Sequence, residues 1–322
     1  MYAIEQLSDE IARIVLPPPP DLPPPWGVAR NVYVFKGAVP ALLDTGLPGT
    51  GDALVHALAS IGVAPEKVRK IALTSRSVSA YGNADRFPNA TLWSPSPAQD
   101  RASLRASLTR VYDALRAHPD APPAWKTAPV DAFLDRWCAD EPRVELLEDG
   151  ASLRLGAVTL DGLDCPGLLE PASAWYAPAT GWLFGGPAFT LARRAVPSNA
   201  SAWLDSIGRV SAISTKLLLP ECGHLEPQPD RAFRAISLYV TNLRTNLQHV
   251  LDVPRSALDL AELDLGWLPD DLVRFGADVL RFDAVMREFF DAGVAHSSDD
   301  ARAPLPRLTM GAGSGRVPLK PI

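Results

Sequence analysis

A hairpin, a helix and a buried strand follow one another between residues 31 and 75, and this order constrains the fold more than any other feature of the chain. The stretch "NVYVFKGAVPALLDTG" alternates around Lys36-Gly37 and predicts a β-hairpin. Residues 51–62 then carry apolar side chains at helical spacing and end at a glycine. The apolar run "RKIALTS" follows and predicts a buried strand. Strand, helix and strand in succession are typical of α/β proteins.

The remaining patterns divide the chain into three parts. An α/β domain is predicted over residues 1–227, with a helical insert at about residues 100–139 that interrupts a series of short strands. From residue 228 the apolar residues recur at helical spacing alone, which predicts a helical C-terminal extension over residues 228–295. Residues 296–322, which contain "SSDD" and "GAGSG", predict an extended tail.

Composition excludes several classes of function. The net charge of -6 and the absence of a basic stripe argue against nucleic-acid binding. No run of about 18 apolar residues predicts a membrane span, and the N-terminal residues lack the pattern of a secretory signal. The three cysteines are odd in number and far apart, which favours reduced thiols and a cytoplasmic location.

Five short motifs, taken in order, resemble those of the metallo-β-lactamase superfamily across roughly residues 5–227. The hairpin ending in "ALLDTG" is similar to the family's first motif, and "IALTS" followed by "YGNA" to the strand and loop that present H-x-H-x-D-H. The stretch "LDCPGLLEPASAWYAPATGWLFGGPAF" resembles the region with P-G-H and G-D, and "LLLPECGH" the terminal P-G-H-G. The resemblance implies an αββα sandwich, an α/β fold.

Carried over residue by residue, the resemblance leaves the metal-ligand positions without ligands. Asp44 alone is kept, and in the family this aspartate braces the metal site from outside. The four ligand positions of the second motif fall on Ser75, Ser77, Ser79 and Ala80. The later ligand positions fall on Leu168, on Pro187, and on either Cys222 or His224, depending on the length of the last loop.

These substitutions remove the chemistry that the family uses. Zinc or iron needs three or four nitrogen, sulfur or carboxylate ligands, whereas serine hydroxyls stay protonated and alanine, leucine and proline cannot coordinate. Without a metal, no bound water is acidified to a hydroxide nucleophile. The sequence therefore predicts no metal and no cofactor, and favours a pseudoenzyme with a binding, regulatory or structural role over an enzyme.

Two catalytic alternatives remain open from the sequence. A rebuilt metal site could be drawn from acidic, cysteine and histidine residues of the last motifs, namely Cys165, Glu170, Glu221, Cys222, His224 and Glu226. Serine chemistry could pair one of Ser75, Ser77 or Ser79 with His224 as base and Asp44 as the orienting group, although no G-x-S-x-G elbow surrounds these serines. Either alternative would make the protein a hydrolase of esters, thioesters or lactams.

The partner is equally open from the sequence. The vestigial cleft could bind a small molecule or a partner protein. The apolar stripes of the C-terminal extension could serve a homo-oligomer or pairing with a related, metal-bearing subunit.

Overall fold

The protein is described from a computed structural model, which covers residues 2–19, 28–117, 130–191 and 199–251. Seven strands form the first sheet in chain order: β1 Ala3–Gln6, β2 Ile11–Leu16, β3 Arg30–Phe35, β4 Ala41–Leu43, β5 Lys70–Ala72, β6 Thr91–Ser94 and β7 Val144–Leu146. Five form the second, in the order β12-β11-β10-β9-β8: β8 Ser152–Leu155, β9 Val158–Cys165, β10 Ala172–Ala177, β11 Trp182–Gly186 and β12 Leu217–Pro220. The helices are α1 Gly51–Ser60, α2 Val78–Tyr81, α3 Arg101–Ala117, α4 Val130–Trp137, α5 Ala200–Ser211 and α6 Pro229–Leu251.

Three apolar clusters join these elements into four layers. Between the sheets, Tyr33 and Phe35 of β3 pack edge-on against Phe184 of β11, with ring centroids 5.0 and 5.4 Å apart. A second cluster buries α1 and the helices α3 and α4 on the outer face of the first sheet. A third buries α5 and α6 on the outer face of the second sheet, where Phe189 meets Phe233 at 5.5 Å. The αββα sandwich predicted from the sequence is confirmed.

The hairpin and crossover at residues 30–73 form as the pattern predicts. β3 and β4 pair antiparallel, whereas β4 and β5 pair parallel, with Leu42 opposite Ile71. A parallel pair needs a crossover connection, and α1 supplies it on the outer face. Since β4 and β5 run in the same direction, the residues that follow them, Asp44 and Thr74, emerge at the same edge of the sheet.

The predicted insert consists of α3 and α4, which lie in the chain between β6 and β7. The C-terminal extension begins with α6, whose Phe233, Ile236 and Val240 are buried in the third cluster. Residues 252–295 of that extension and the tail at 296–322 lie outside the described residues. The division into three parts therefore stays a prediction.

Candidate functional site

Three serines occupy ligand positions of the second motif, and their polar groups satisfy one another. Ser75, Ser77 and Ser79 lie in the loop that leaves β5 and enters α2, and each is at most 3% exposed. Ser77 is the N-cap of α2, where its hydroxyl accepts a hydrogen bond from the Ser79 amide at 3.3 Å. The Ser79 hydroxyl donates to Ser77 Oγ at 3.1 Å, and the Ser77 amide donates to Ser75 Oγ at 3.4 Å. Short hydroxyl side chains are well suited to such local backbone contacts.

The Ser77 hydroxyl also connects this loop to two other parts of the chain. It donates to Glu170 Oε1 at 2.7 Å, and the indole N–H of Trp137, on α4, donates to the same oxygen at 3.1 Å. A hydroxyl at a vestigial ligand position thus binds a carboxylate instead of a cation. Serine chemistry with His224 as base is not supported by this arrangement, because the Ser77 hydroxyl donates to Glu170 and His224 is solvent-exposed.

Asp44 is buried and fully engaged by Thr74. Its two carboxylate oxygens accept from the Thr74 amide at 2.8 Å and from the Thr74 hydroxyl at 2.6 Å. Its backbone has a φ of 60°, a left-handed conformation that aspartate tolerates better than most residues. Burial raises the pKa of Asp44 to about 8, against the opposing effect of the Thr74 hydrogen bonds. The side chain is therefore largely protonated below that pH.

An arginine within the same loop forms a bidentate contact with a glutamate. The Arg76 guanidinium donates two parallel hydrogen bonds to Glu141, Nε to Oε1 at 2.5 Å and Nη2 to Oε2 at 2.7 Å. Its third nitrogen donates to the Ser96 carbonyl at 3.1 Å. The side chains of Arg76 and Glu141 are only 7% and 11% exposed, so this is a buried bidentate ion pair.

A second arginine completes the cluster. Arg101, the first residue of α3, lies 3.5 Å from Glu141 and donates to the Arg76 carbonyl at 2.9 Å. It also donates to the Tyr81 hydroxyl at 2.6 Å, with its guanidinium 5.7 Å from that ring. Two guanidiniums and the carboxylates of Glu141 and Glu170 thus surround Tyr81, and the four charges balance without a metal.

The third and fourth motifs keep their glycines but not their ligands. Leu168 and Pro187 are buried apolar residues at the two ligand positions. A Cβ on Gly167 would lie 2.3 Å from the Trp203 amide nitrogen, and one on Gly186 would lie 2.6 Å from Thr74 Cβ. These glycines are required by close backbone packing, which explains why the motif remains readable after its ligands are lost.

The last motif ends in a buried thiol and an exposed imidazole. Cys222 is fully buried, with its sulfur 3.3 Å from Thr190 Oγ1, whereas His224 is exposed. Cys165 is also buried, which raises the pKa of its thiol to about 12 and keeps it protonated. Within the described part of the chain, no three of its histidine, cysteine, aspartate and glutamate residues form a group able to hold a metal ion. The rebuilt metal site considered from the sequence is therefore not formed by these residues.

The donor set at the motif positions does not fit a zinc or iron centre. Three serine hydroxyls engaged with one another and with Glu170, together with alanine, leucine and proline, replace the imidazoles and carboxylate that such a metal needs. Asp44, the one motif acid that is kept, is occupied by Thr74.

Sequence reasoning missed the residues that now dominate the site. Arg76, Arg101 and Glu141 belong to no family motif, and Trp137 reads as an ordinary apolar helix position. One signal was present, since Arg76 is the single charged side chain in the run "TSRSVSA" of otherwise small residues. A cation within a buried loop requires a buried anion, but the sequence does not show that Glu141 supplies it.

Comparison with solved structures identifies the class of fold. The chain is similar to a metallo-β-lactamase family protein from Thermus thermophilus with 20% identity and a TM-score of 0.62, over 87% of this chain and 94% of that one. It is similar to a β-lactamase domain protein from Burkholderia ambifaria with 15% identity and a TM-score of 0.64, over 92% of each chain. A stereoselective inverting sec-alkylsulfatase from a Pseudomonas species matches 95% of this chain and 52% of its own, with 13% identity and a TM-score of 0.61.

These likenesses show that the chain has the metallo-β-lactamase fold. No protein-family model matches the sequence, and no curated protein matches it either. Among the described residues, no helix is long and apolar enough to span a membrane.

Proposed function

We propose that this protein is a metal-free pseudoenzyme of the metallo-β-lactamase fold, whose cleft has a binding or regulatory role in place of hydrolysis. The observation that carries the proposal is the replacement of the metal ligands by a buried, charge-balanced polar network. Where metal ligands would converge, the serines bond to one another and to Glu170, and Arg76 binds Glu141. The donor set that would have to bind the cation is absent from the motif positions, so no hydroxide nucleophile is generated there.

Elemental analysis of the purified protein tests this proposal. We expect less than stoichiometric zinc, iron and manganese after expression in medium supplemented with all three. A metal-binding protein of the same fold, purified in parallel, serves as the control for metal loss during preparation. One or two equivalents of any of these metals in this protein would overturn the proposal.

A hydrolase is the alternative function, and the names of similar solved structures support it. One of the similar proteins is named a sec-alkylsulfatase and others are named β-lactamase family proteins. If the cleft retained catalysis, hydrolysis of ester, thioester, lactam or alkyl sulfate substrates should be abolished by Cys222→Ala or His224→Ala. Turnover that both variants retain would show that neither Cys222 nor His224 takes part in it.

The partner and location follow as further parts of the proposal. The ligand is a small molecule or a partner protein, and the assembly is a homo-oligomer or a pair with a related subunit. Leu238 of α6 is 61% exposed and lies on the helix that begins the C-terminal extension, and this exposed apolar side chain supports the proposal of a second chain. Light scattering and co-purification distinguish these assemblies.

All three cysteines lie within the described residues and none forms a disulfide, which is consistent with a cytoplasmic location.

A further inference from the structure

The Arg76–Arg101 pair has the geometry of a carboxylate receptor. Arg76 presents the Nε/Nη2 edge of its guanidinium, the edge that matches a carboxylate with two parallel hydrogen bonds, and Glu141 occupies it at 2.5 and 2.7 Å. Arg76 is only 6% exposed, so the receptor is built into the core of the site and is not a surface contact. We call Arg76, Arg101 and the Tyr81 hydroxyl the carboxylate clamp.

The clamp offers more donors than Glu141 uses. Nε and Nη1 of Arg101 are both buried and have no hydrogen-bond acceptor among the described residues. Leaving a buried donor unpaired costs free energy, and the cost is greater for a charged group. Within the described part of the chain, Glu141 therefore satisfies the clamp only in part.

Glu141, which occupies the clamp, lies in a segment whose backbone makes few hydrogen bonds. Glu141 lies between the end of α4 and the start of β7, in a stretch without helix or strand. The backbone of residues 139–143 makes no hydrogen bond within the described residues apart from its exit into β7. Moving Glu141 out of the clamp would break its side-chain contacts but few backbone ones.

We propose that Glu141 is an internal ligand of the clamp, and that the ligand of the cleft bears a carboxylate that displaces it and releases α4 and the segment that follows it from the loop. This inference rests on the binding role proposed above and assigns its ligand class. Arg76 lies between Ser75 and Ser77 in the chain, so a ligand held by its side chain would be attached to the loop that carries the motif positions. Because an intramolecular group competes at an effective concentration in the millimolar range, binding should be weak in the wild-type chain and stronger without Glu141.

Chemical rescue tests the clamp. In Glu141→Ala, acetate should raise Tm by about 3 °C at tenfold excess over its Kd and further with the logarithm of its concentration, whereas chloride at equal ionic strength should not. The double variant Glu141→Ala/Arg76→Met should lose this response. Glu145→Ala is the matched control, because Glu145 pairs with Arg143 on the surface a few residues away and its loss should create no acetate response.

If Glu141→Ala fails to fold, a more conservative variant tests the same inference. Glu141→Gln keeps the shape of the side chain, and direct titration calorimetry with acetate can be performed on it and on the wild type. Saturable binding that requires Arg76 supports the clamp. An equal response in the Arg76→Met background, or no binding to folded Glu141→Gln and Glu141→Ala, would overturn it. Inorganic phosphate in place of acetate shows whether the clamp prefers planar carboxylates, and a stronger response to phosphate would overturn the ligand class.

Displacement of Glu141 can also be measured in the wild-type protein by amide hydrogen exchange. Acetate, but not chloride, should accelerate exchange in residues 130–143, that is, in α4 and the segment that follows it. Unchanged exchange under acetate at a concentration that saturates the wild-type protein in titration calorimetry would refute displacement. The metal analysis above is independent of these results, so absence of metal without acetate binding would refute the clamp and leave the pseudoenzyme proposal intact.

Discussion

At the scale of single residues, Asp44 shows how burial acts on an acid. Asp44 keeps its position, and both of its oxygens remain bonded to Thr74. Burial favours the neutral form and raises the pKa of Asp44 to about 8, even though the Thr74 hydrogen bonds act in the opposite direction.

Asp44 predicts a pH dependence of stability with a defined sign. The folded chain holds this proton up to about pH 8, whereas the unfolded chain releases it near pH 3.8. Between those values the folded state binds more protons, so the contribution of Asp44 to the free energy of unfolding is fully present below the interval and falls as pH rises through it. Asp44→Asn removes this dependence and can still bond Thr74.

Urea unfolding of the two proteins at both ends of that interval measures the effect. We expect Asp44→Asn to gain stability relative to wild type on going from the acid end to the alkaline end. A difference between the two proteins that does not vary with pH would show that Asp44 is ionised in the folded state.

Arg76 predicts a large effect of removing one partner of a buried ion pair. Arg76→Met should leave the Glu141 carboxylate with only Arg101 and lower the free energy of unfolding by about 3 kcal/mol. Arg105→Met is the matched control, because the Arg105–Asp135 pair has side chains 43% and 70% exposed and should contribute less than about 1 kcal/mol. Equal losses in the two variants, measured by urea unfolding, would contradict the role assigned to Arg76.

At the scale of elements, two glycines next to or within α5 have different roles: one is required by close packing, and the other only lowers helix propensity. Gly167 has a φ of 116°, and a Cβ there would lie 2.3 Å from the first-turn backbone of α5. Gly167→Ala should therefore displace α5 and lower stability by at least about 2 kcal/mol. Gly208 lies within α5 with no atom near its Cβ direction, so Gly208→Ala should raise stability by about 0.5–1 kcal/mol.

Thermal unfolding of these two alanine variants gives the comparison directly. The same substitution in or beside one helix should shift Tm in opposite directions. A neutral Gly167→Ala would mean that the loop and α5 are packed less closely than described.

The elements also show how far the sequence alone leads. The hairpin of β3 and β4 and the parallel pair of β4 and β5 form as the sequence predicts. α5 was not anticipated, although Asn199 caps it by accepting from the Ala202 amide and Trp203 and Ile207 are buried along it. The signal was missed because the prolines and arginines before it resemble a loop.

The candidate site was less predictable than the fold for a physical reason. Positions 75, 77, 79 and 80 could be placed because the glycines and strands around them preserve the motif spacing. The pairing of Arg76 with Glu141 joins residues 65 positions apart through an insert that the family pattern does not describe. Side-chain complementarity across such a distance depends on tertiary packing and leaves no periodic trace in the sequence.

At the scale of the whole molecule, the metal-free state proposed above predicts how stability responds to chelation. A bound ion stabilises the folded state by mass action, so its removal lowers Tm. We expect the Tm of this protein to be unchanged by EDTA and by added zinc. A fall in Tm with EDTA that zinc reverses would show that a metal holds the fold together.

The position of Arg76 has a consequence for any attempt to build a metal site into this chain. Histidine at position 77 would remove the hydroxyl that donates to Glu170, and would leave that carboxylate with the Trp137 indole as a partner. Replacing Arg76 as well would leave Glu141 buried with one cationic partner fewer. A metal site at these positions therefore requires changes in the buried network around the loop in addition to new ligands.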